Sequence, residues 1–379
     1  MANKRKYEKY FMKGYRTSHD IKGRQSKKNQ GLQLLSYDTH DECPFYFEAF
    51  LYRANDNYAV QQGGQIEYPP ESFFGQLQRR TGMKWYLYPH VHPTLERYHV
   101  MSIDPKDPYN LGGTMEVWVN DDKRPEDPTK AEMYSLSKPS IMILPANFRH
   151  GPLRWRDMKR DFLFLLISED NKYRKLSNWE PGKDHLYPPS VDYIVGDGAE
   201  KWVPKPQTPE QKNKREFAYL YVEQDIDNFY KLPSTHKGKA HIIHHATWKD
   251  SPLIKSRVEC ILIYGDGIGF GNGNNHGFPP CPMKTSVWSS MSFLSTEADS
   301  PSLGGKVEFW MGEGRQAEKY IVEETTTVII PPNTVYYPIY VHECKHPFVI
   351  ASIMNEPLFG GRFVDVYPPG FKHVVTSKK

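Results

Sequence analysis

The chain has 379 residues, 38% hydrophobic, 14% aromatic and 25% charged, which is enough apolar material for two packed cores and excludes wholesale disorder. Its 31 prolines, 27 glycines and 25 tyrosines favour short strands and turns over long helices. No stretch approaches the roughly 18 apolar residues of a membrane helix, residues 1–28 hold no signal-peptide core, and Cys43, Cys260, Cys281 and Cys344 form no C-x-x-C pair, so we expect a cytoplasmic protein with no membrane span, zinc ribbon or disulfide framework.

Residues 1–28 carry ten Lys or Arg and two acids within a chain of net charge +4, so the remainder is net −4 and only an N-terminal arm, residues 1–40, is basic. Tyr7, Tyr10, Phe11 and Tyr15 lie among its lysines. Such mixtures can bind nucleic acid, but a tail lying over a neighbouring subunit is the reading preferred, and it makes a homo-oligomer, first of all a dimer, the expected assembly. A first β domain is expected over 41–200, with a peripheral short helix at Pro70–Arg80, opened by prolines and closed before Gly82, and a strand at Phe162–Ile167. The run Val203-Pro204-Lys205-Pro206-Gln207-Thr208-Pro209 and the polar residues after it mark a linker at 201–216. A second β domain, 217–379, opens with a short helix at Ile226–Leu232 and contains His236, His241, His244 and His245, which have no carboxylate or cysteine at ligand spacing and are expected at the surface or an interface. Gly265 to Gly273 is glycine-rich but leads into Asn274-Asn275-His276-Gly277 and no helix, so it is read as a loop and not a nucleotide fingerprint. Lys319–Pro331 reads as strand.

The two domains are copies. Leu111-Gly112-Gly113-Thr114-Met115-Glu116-Val117-Trp118 recurs 192 residues later as Leu303-Gly304-Gly305-Lys306-Val307-Glu308-Phe309-Trp310, and Ile143-Leu144-Pro145-Ala146-Asn147 recurs 186 residues later as Ile329-Ile330-Pro331-Pro332-Asn333. Only the first copy carries His90-x-His92-x-x-x-Glu96 and, beyond the Pro145-Ala146-Asn147 turn, a lone His150. Strand alternation puts His90, His92 and Glu96 in one parity, and three imidazoles with one carboxylate suit Fe(II), Mn(II), Zn(II) or Ni(II). At the same offsets the second copy has Pro282, Lys284, Trp288 and Tyr336, so the four candidate ligands vanish together while Gly112/Gly304, Glu116/Glu308, Trp118/Trp310, Pro145/Pro331 and Asn147/Asn333 persist. That joint loss predicts one divalent metal per chain, with Tyr336 and Trp288 filling the second interior.

His90-x-His92-x(3)-Glu96 and Pro145-x-Asn147-x(2)-His150 resemble the two motifs of the cupin superfamily, H-x-H-x(3,4)-E and P-x-G-x(2)-H, with Asn147 where the family has glycine. Asn also accepts the left-handed conformation. The resemblance covers roughly 84–167 and 258–356, and between the motifs the chain is longer than in minimal cupins, with an insertion at Asp104–Asn110. It implies an all-β fold of two tandem cupin barrels (double-stranded β-helix, jelly-roll) with a few peripheral short helices, similar in architecture to gentisate dioxygenases or oxalate decarboxylases. It also implies a mononuclear metal enzyme acting on a small oxygenated or aromatic, anionic substrate. A dioxygenase with Fe(II) is the first expectation, a non-oxidative lyase, decarboxylase or isomerase the second, and a non-catalytic binding or storage bicupin the third. Around the expected metal, Arg154 shares the parity of His150 and could hold a substrate carboxylate. Arg97 and Arg149 neighbour ligands, Trp118 could help wall the substrate pocket, and Tyr98 or His99 could serve as the base.

Overall fold

The computed structural model describes residues 5–14, 30–35, 42, 44–52, 54, 92, 94–120, 132–169, 174–175, 185–186, 215–228, 232, 236–270, 282–297, 301–356, 362–364 and 368–371. Two compact units divide it: Thr17–Gln224, and Met1–Arg16 together with Asp225–Lys379. Strand β1 (Phe11–Lys13) belongs to the second unit. The first holds β2 (Gln30–Leu35), β3 (Tyr46–Tyr52), β4 (Glu96–Ser102), β5 (Thr114–Asn120), β6 (Glu132–Leu136), β7 (Ser140–Leu144), β8 (Arg149–Arg156), β9 (Phe162–Ser168), the short pair β10 (Arg174–Lys175) and β11 (His185–Leu186), and β12 (Tyr221–Glu223). The second continues with β13 (Ala240–Ala246), β14 (Arg257–Ile263), β15 (Ile268–Phe270), β16 (Met283–Lys284), β17 (Ser289–Ser295), β18 (Ser302–Met311), β19 (Glu318–Glu324), β20 (Thr326–Ile330), β21 (Val335–Cys344), β22 (Phe348–Met354) and β23 (Arg362–Phe363).

Within the first unit one sheet runs β12-β7-β4-β9-β3-β2 and a second runs β6-β5-β8. From β4 to β9 the chain passes back and forth between the sheets, with β4, β7 and β9 in one and the β5–β6 hairpin and β8 in the other, the winding of a jelly roll, and the second unit repeats it with β1-β20-β17-β22-β14-β13 and β19-β18-β21-β16-β23. The fold is therefore all-β, two double-stranded β-helix barrels in tandem, as the cupin resemblance implies. Lys319–Pro331, read as one strand, is split between β19 in one sheet and β20 in the other. Of the helix expected at Ile226–Leu232, the described residues show a 3-10 turn at Ile226–Asn228; the one expected at Pro70–Arg80 and all but residues 215–216 of the linker expected at 201–216 lie outside the described residues. Of the four clustered histidines, His236 and His244 are buried and not superficial, His236 donating to the Gly269 carbonyl at 2.9 Å.

The two segments that precede the barrels are built alike, which their sequences do not announce. Residues 5–14 form a 3-10 turn at Glu8–Tyr10 and then β1 on the edge of β20, with Phe11 opposite Val328. Residues 215–224 form a 3-10 turn at Ala218–Leu220 and then β12 on the edge of β7, with Tyr221 opposite Met142. Each turn is received by a carboxylate on the neighbouring sheet: Glu318 accepts the backbone N–H groups of Lys6 and Tyr7 at 3.0 and 3.3 Å, and Glu132 those of Glu216 and Phe217 at 2.6 and 3.1 Å. Arg5 lies 5.2 Å from the Tyr320 ring and Arg215 4.9 Å from the Tyr134 ring, each a cation over an aromatic face. The aromatic arm thus covers a sheet edge in its own chain, satisfying backbone groups that an open edge would expose.

Candidate metal centre

The polar end of the first barrel is assembled by β4, β8 and the turn between β7 and β8. Asn147 takes φ +61° in that turn and donates its N–H to the His92 carbonyl at 2.6 Å, so one left-handed residue both pins His92 and launches β8 toward His150. The β5–β8 register then shifts between Val117 and Val119, opposite Leu153 and His150, which leaves an extra residue in β8 beside Pro152. A proline has no N–H for the ladder, and the bulge it occupies re-aims the strand at the barrel rim.

His92, Glu96 and His150 converge as a result. Glu96 Oε2 lies 3.2 Å from His92 Nε2 and 2.8 Å from His150 Nε2, one donor atom from each residue falls within 4.8 Å of the others, and all three side chains are buried. The two imidazoles stack at 5.2 Å. His150 Nδ1 lies 3.0 Å from the Phe148 carbonyl, which can only accept, so Nδ1 carries the proton and the lone pair of a neutral ring is left on Nε2, toward Glu96. A lone pair facing a carboxylate oxygen at 2.8 Å is repulsive unless a proton or a cation lies between them, and this donor set fits a divalent metal. Burial opposes ionisation of Glu96, but when the two rings are protonated their attraction and hydrogen bonds outweigh it and hold the carboxyl well below its usual range, so positive charge at this place keeps Glu96 ionised. His90 lies outside the described residues.

The remaining sequence candidates divide by strand face. Tyr98 shares the face of Glu96, and its ring meets His150 edge-on at 5.8 Å. Arg97 and His99 are fully buried but alternate with Glu96 and Tyr98, so they stand on the opposite face. Burial lowers the Arg97 guanidinium to about 10, against the opposing charge of Glu169. Trp118 alternates with the core residues Val117 and Val119 and packs against Met133, away from the site. Arg154 loses the parity it was given with His150: the bulge intervenes, and its backbone pairs opposite Glu116, not in step with the ligand.

Three polar residues on the site face, Tyr46, Glu48 and Ser168, were missed. Register across β4, β9 and β3 places Glu96, Ser168 and Tyr46 in one row and Tyr98, Leu166 and Glu48 in the next, all on one face. Glu48 is 3% exposed and accepts the Tyr46 hydroxyl at 2.5 Å. The signal was a single charge in Tyr46-Phe47-Glu48-Ala49-Phe50-Leu51-Tyr52, a run otherwise apolar or aromatic.

In the second barrel the ladder corrects the sequence offset. Asn333, φ +60°, donates to the Thr285 carbonyl at 2.6 Å just as Asn147 does to His92, and Ser289 pairs with Ile330 and Met354 as Glu96 does with Leu144 and Ser168. Thr285, Ser289 and Tyr336 therefore stand where His92, Glu96 and His150 stand, and Lys284 and Trp288 are each one residue out of step. Thr285 and Ser289 hydroxyls are 3.4 Å apart, and Tyr336 is buried beside Ser289.

No protein-family model and no curated protein sequence matches the chain. Among solved structures it is similar to oxalate decarboxylase from Lactobacillus farciminis in a formate complex, at 10% identity and a TM-score of 0.47 over 87% of this chain and 82% of that one. It is also similar to an arginine-to-alanine variant of Bacillus subtilis oxalate decarboxylase, at 9% identity and a TM-score of 0.46 over 89% and 78% of the two chains. Among the described residues no helix is long and apolar enough to cross a membrane.

Proposed function

We propose that the first barrel is a mononuclear metal enzyme site in which His92, Glu96 and His150, joined by His90, hold one divalent ion, and that the second barrel is a structural copy without metal. The observation that carries this reading is the buried triad whose Nε2 and Oε2 atoms face one another, with hydroxyl residues at all three matching positions of the other barrel. A divalent ion bound there supplies a Lewis acid that polarises a small substrate chelating through two oxygens. The chain's own residues do the rest. The Phe148 carbonyl keeps the His150 Nδ1 proton and so orients Nε2, Glu96 brings negative charge into a buried site, and Val100, Phe164, Phe50 and Phe162 close the deep end of the same face to water.

Tyr98 is the residue best placed to move a proton, since its side chain shares the ligand face beside His150. This favours the non-oxidative reading, a lyase, decarboxylase or isomerase, in which the tyrosine takes or returns a proton beside a polarised carbonyl or hydroxyl. The dioxygenase reading with Fe(II) rests on the motif resemblance. Metal analysis of the purified protein tests the site: near one equivalent is expected, and near zero in His150→Ala. Incubating loaded protein with pooled hydroxy acids, keto acids and catechols, with and without oxygen, tests the chemistry. Consumption that stops without oxygen supports the dioxygenase, consumption that continues supports the lyase or isomerase, and none in either condition rejects an enzyme for these classes.

A further inference from the structure

Two of the three ligands ride on backbone at the very start of a strand. The ladder of β4 begins at Glu96, so His92, Thr94 and Leu95 precede it and are fixed by bonds outside the strand pairing. The Asn147 N–H donates to the His92 carbonyl at 2.6 Å and the Glu169 N–H to the Leu95 carbonyl at 3.2 Å, while between side chains the Thr94 and Ser168 hydroxyls bond at 3.1 Å. Thr94 stands midway between His92 and Glu96 in the chain, and Ser168 pairs directly opposite Glu96 across the ladder. The hydroxyl pair therefore joins the backbone bearing both ligands to the end of β9.

The second barrel separates what this end of the fold needs from what the ligands need. Both backbone bonds recur there: Asn333 donates to the Thr285 carbonyl at 2.6 Å and Asn355 to the Trp288 carbonyl at 3.0 Å. The side-chain bond does not recur. Counted from Ser289, which matches Glu96, the position of Thr94 holds Val287, and the residue opposite Ser289 is Met354 in place of Ser168. Neither has a hydroxyl, and the Thr285 hydroxyl donates to the Val287 carbonyl at 2.9 Å. This end of the barrel thus closes without the hydroxyl pair, which accompanies the ligands and is lost with them.

We propose that Thr94 and Ser168 are positioning residues for the metal centre: their hydrogen bond holds the backbone that carries His92 and Glu96 against β9, and so sets where the two donor atoms meet. This rests on the metal-site reading and adds to it a device that the fold itself does without in the other barrel. The physical reason is leverage. Donor atoms must be held to within about half an ångström of their working positions, and a residue two places from each ligand passes any rotation of the backbone to both at once.

The test is cobalt(II) binding by full-length protein, measured by equilibrium dialysis and by the visible d–d bands of the bound ion, which report the geometry of its ligands. Thr94→Val and Ser168→Ala should each weaken cobalt binding about tenfold, the lower end of what loss of an outer partner costs, and should change the position or intensity of the bands. Thr94→Ser, which keeps the hydroxyl, should restore both readings. Because the two residues act through one bond, the double variant should bind no more weakly than the weaker single variant. Thr327→Val is the control: it breaks the Ser292–Thr327 hydroxyl pair, 2.8 Å apart and buried between β17 and β20, and should leave both readings unchanged. Native affinity and bands in Thr94→Val and Ser168→Ala, failure of Thr94→Ser to restore them, additive losses in the double variant, or an equal change in Thr327→Val overturns the proposal without touching the metal reading. A native protein that takes up no cobalt overturns the metal reading and this inference with it.

Discussion

The polar ends of the two barrels share their backbone devices and differ at the three candidate ligand positions. In each, a left-handed Asn binds the carbonyl of the residue that opens the site, a bulge beside a proline follows in the next strand, and the same strand pairs flank it. One end holds His92, Glu96 and His150, the other Thr285, Ser289 and Tyr336. The scaffold therefore does not depend on the ligands: its turns and ladders persist where hydroxyls replace them. What the ligands need from the scaffold is position, and the first barrel supplies it with backbone devices that the second also has.

Breaking the comparison at the ligands gives the largest effect. His92→Ala, Glu96→Gln and His150→Ala should each weaken metal binding by at least about a hundredfold, beyond what loss of an outer partner typically costs, while Thr285→Ala, Ser289→Ala and Tyr336→Phe leave metal content unchanged. Equilibrium dialysis with metal analysis measures both sets. Retention of metal by all three ligand variants would reject the site. The reverse graft, Thr285→His with Ser289→Glu and Tyr336→His, should raise the content from near one equivalent toward two, because the backbone geometry is already present.

Next in size are the two strand clasps. Glu318→Ala removes the acceptor for two backbone N–H groups and for the Tyr320 hydroxyl, and Glu132→Ala does the same for residues 216 and 217 and Tyr134, so each should cost about 1–3 kcal/mol in denaturant unfolding. Burial raises the Glu318 carboxyl, but hydrogen bonds from Tyr320, Lys6 and Tyr7 and the charge of Arg5 outweigh it and set it below its ordinary value. A carboxyl lowered on folding stabilises fully above its unfolded value and less as pH falls through the folded one. Residues 5–14 should accordingly leave β20 in acid before the barrel unfolds, read as faster hydrogen exchange at Phe11–Lys13. Exchange there independent of pH, after correction for its intrinsic rate, would discount the carboxylate.

The smallest effect separates the two left-handed turns. Asn147→Ala and Asn333→Ala should each cost about 1 kcal/mol, the penalty of holding an alanine at positive φ, and the glycine variants should be near neutral. Only the Asn147→Ala change should also lower metal affinity, because that turn holds His92 and delivers His150. Equal metal binding by Asn147→Ala and the native chain would show the turn to be structural in both barrels.

The all-β class, the duplication and the candidate ligands were legible because each is written locally: short apolar strands between Gly and Pro, two recurring blocks, and a His-x-His-x-x-x-Glu spacing. The matching of the two sites was not. Two different offsets, 192 and 186, bracket the region, and only the ladder shows that Glu96 matches Ser289 and not Trp288. Arg154 was misjudged for the same kind of reason, since parity counts residues and a bulge adds one without a visible mark.

By itself the sequence determined which residue types could hold a metal and that only one copy had them, since donor chemistry is a property of side chains. The tertiary structure decided which strands meet and which faces they share, and so it brought Glu48 to the ligand face and placed residues 5–14 on β20. Those facts depend on pairings between positions more than three hundred residues apart in the chain, as Phe11 with Val328. Hydrogen bonds across a sheet edge satisfy whichever backbone arrives, and the arriving strand leaves little trace in its own side chains.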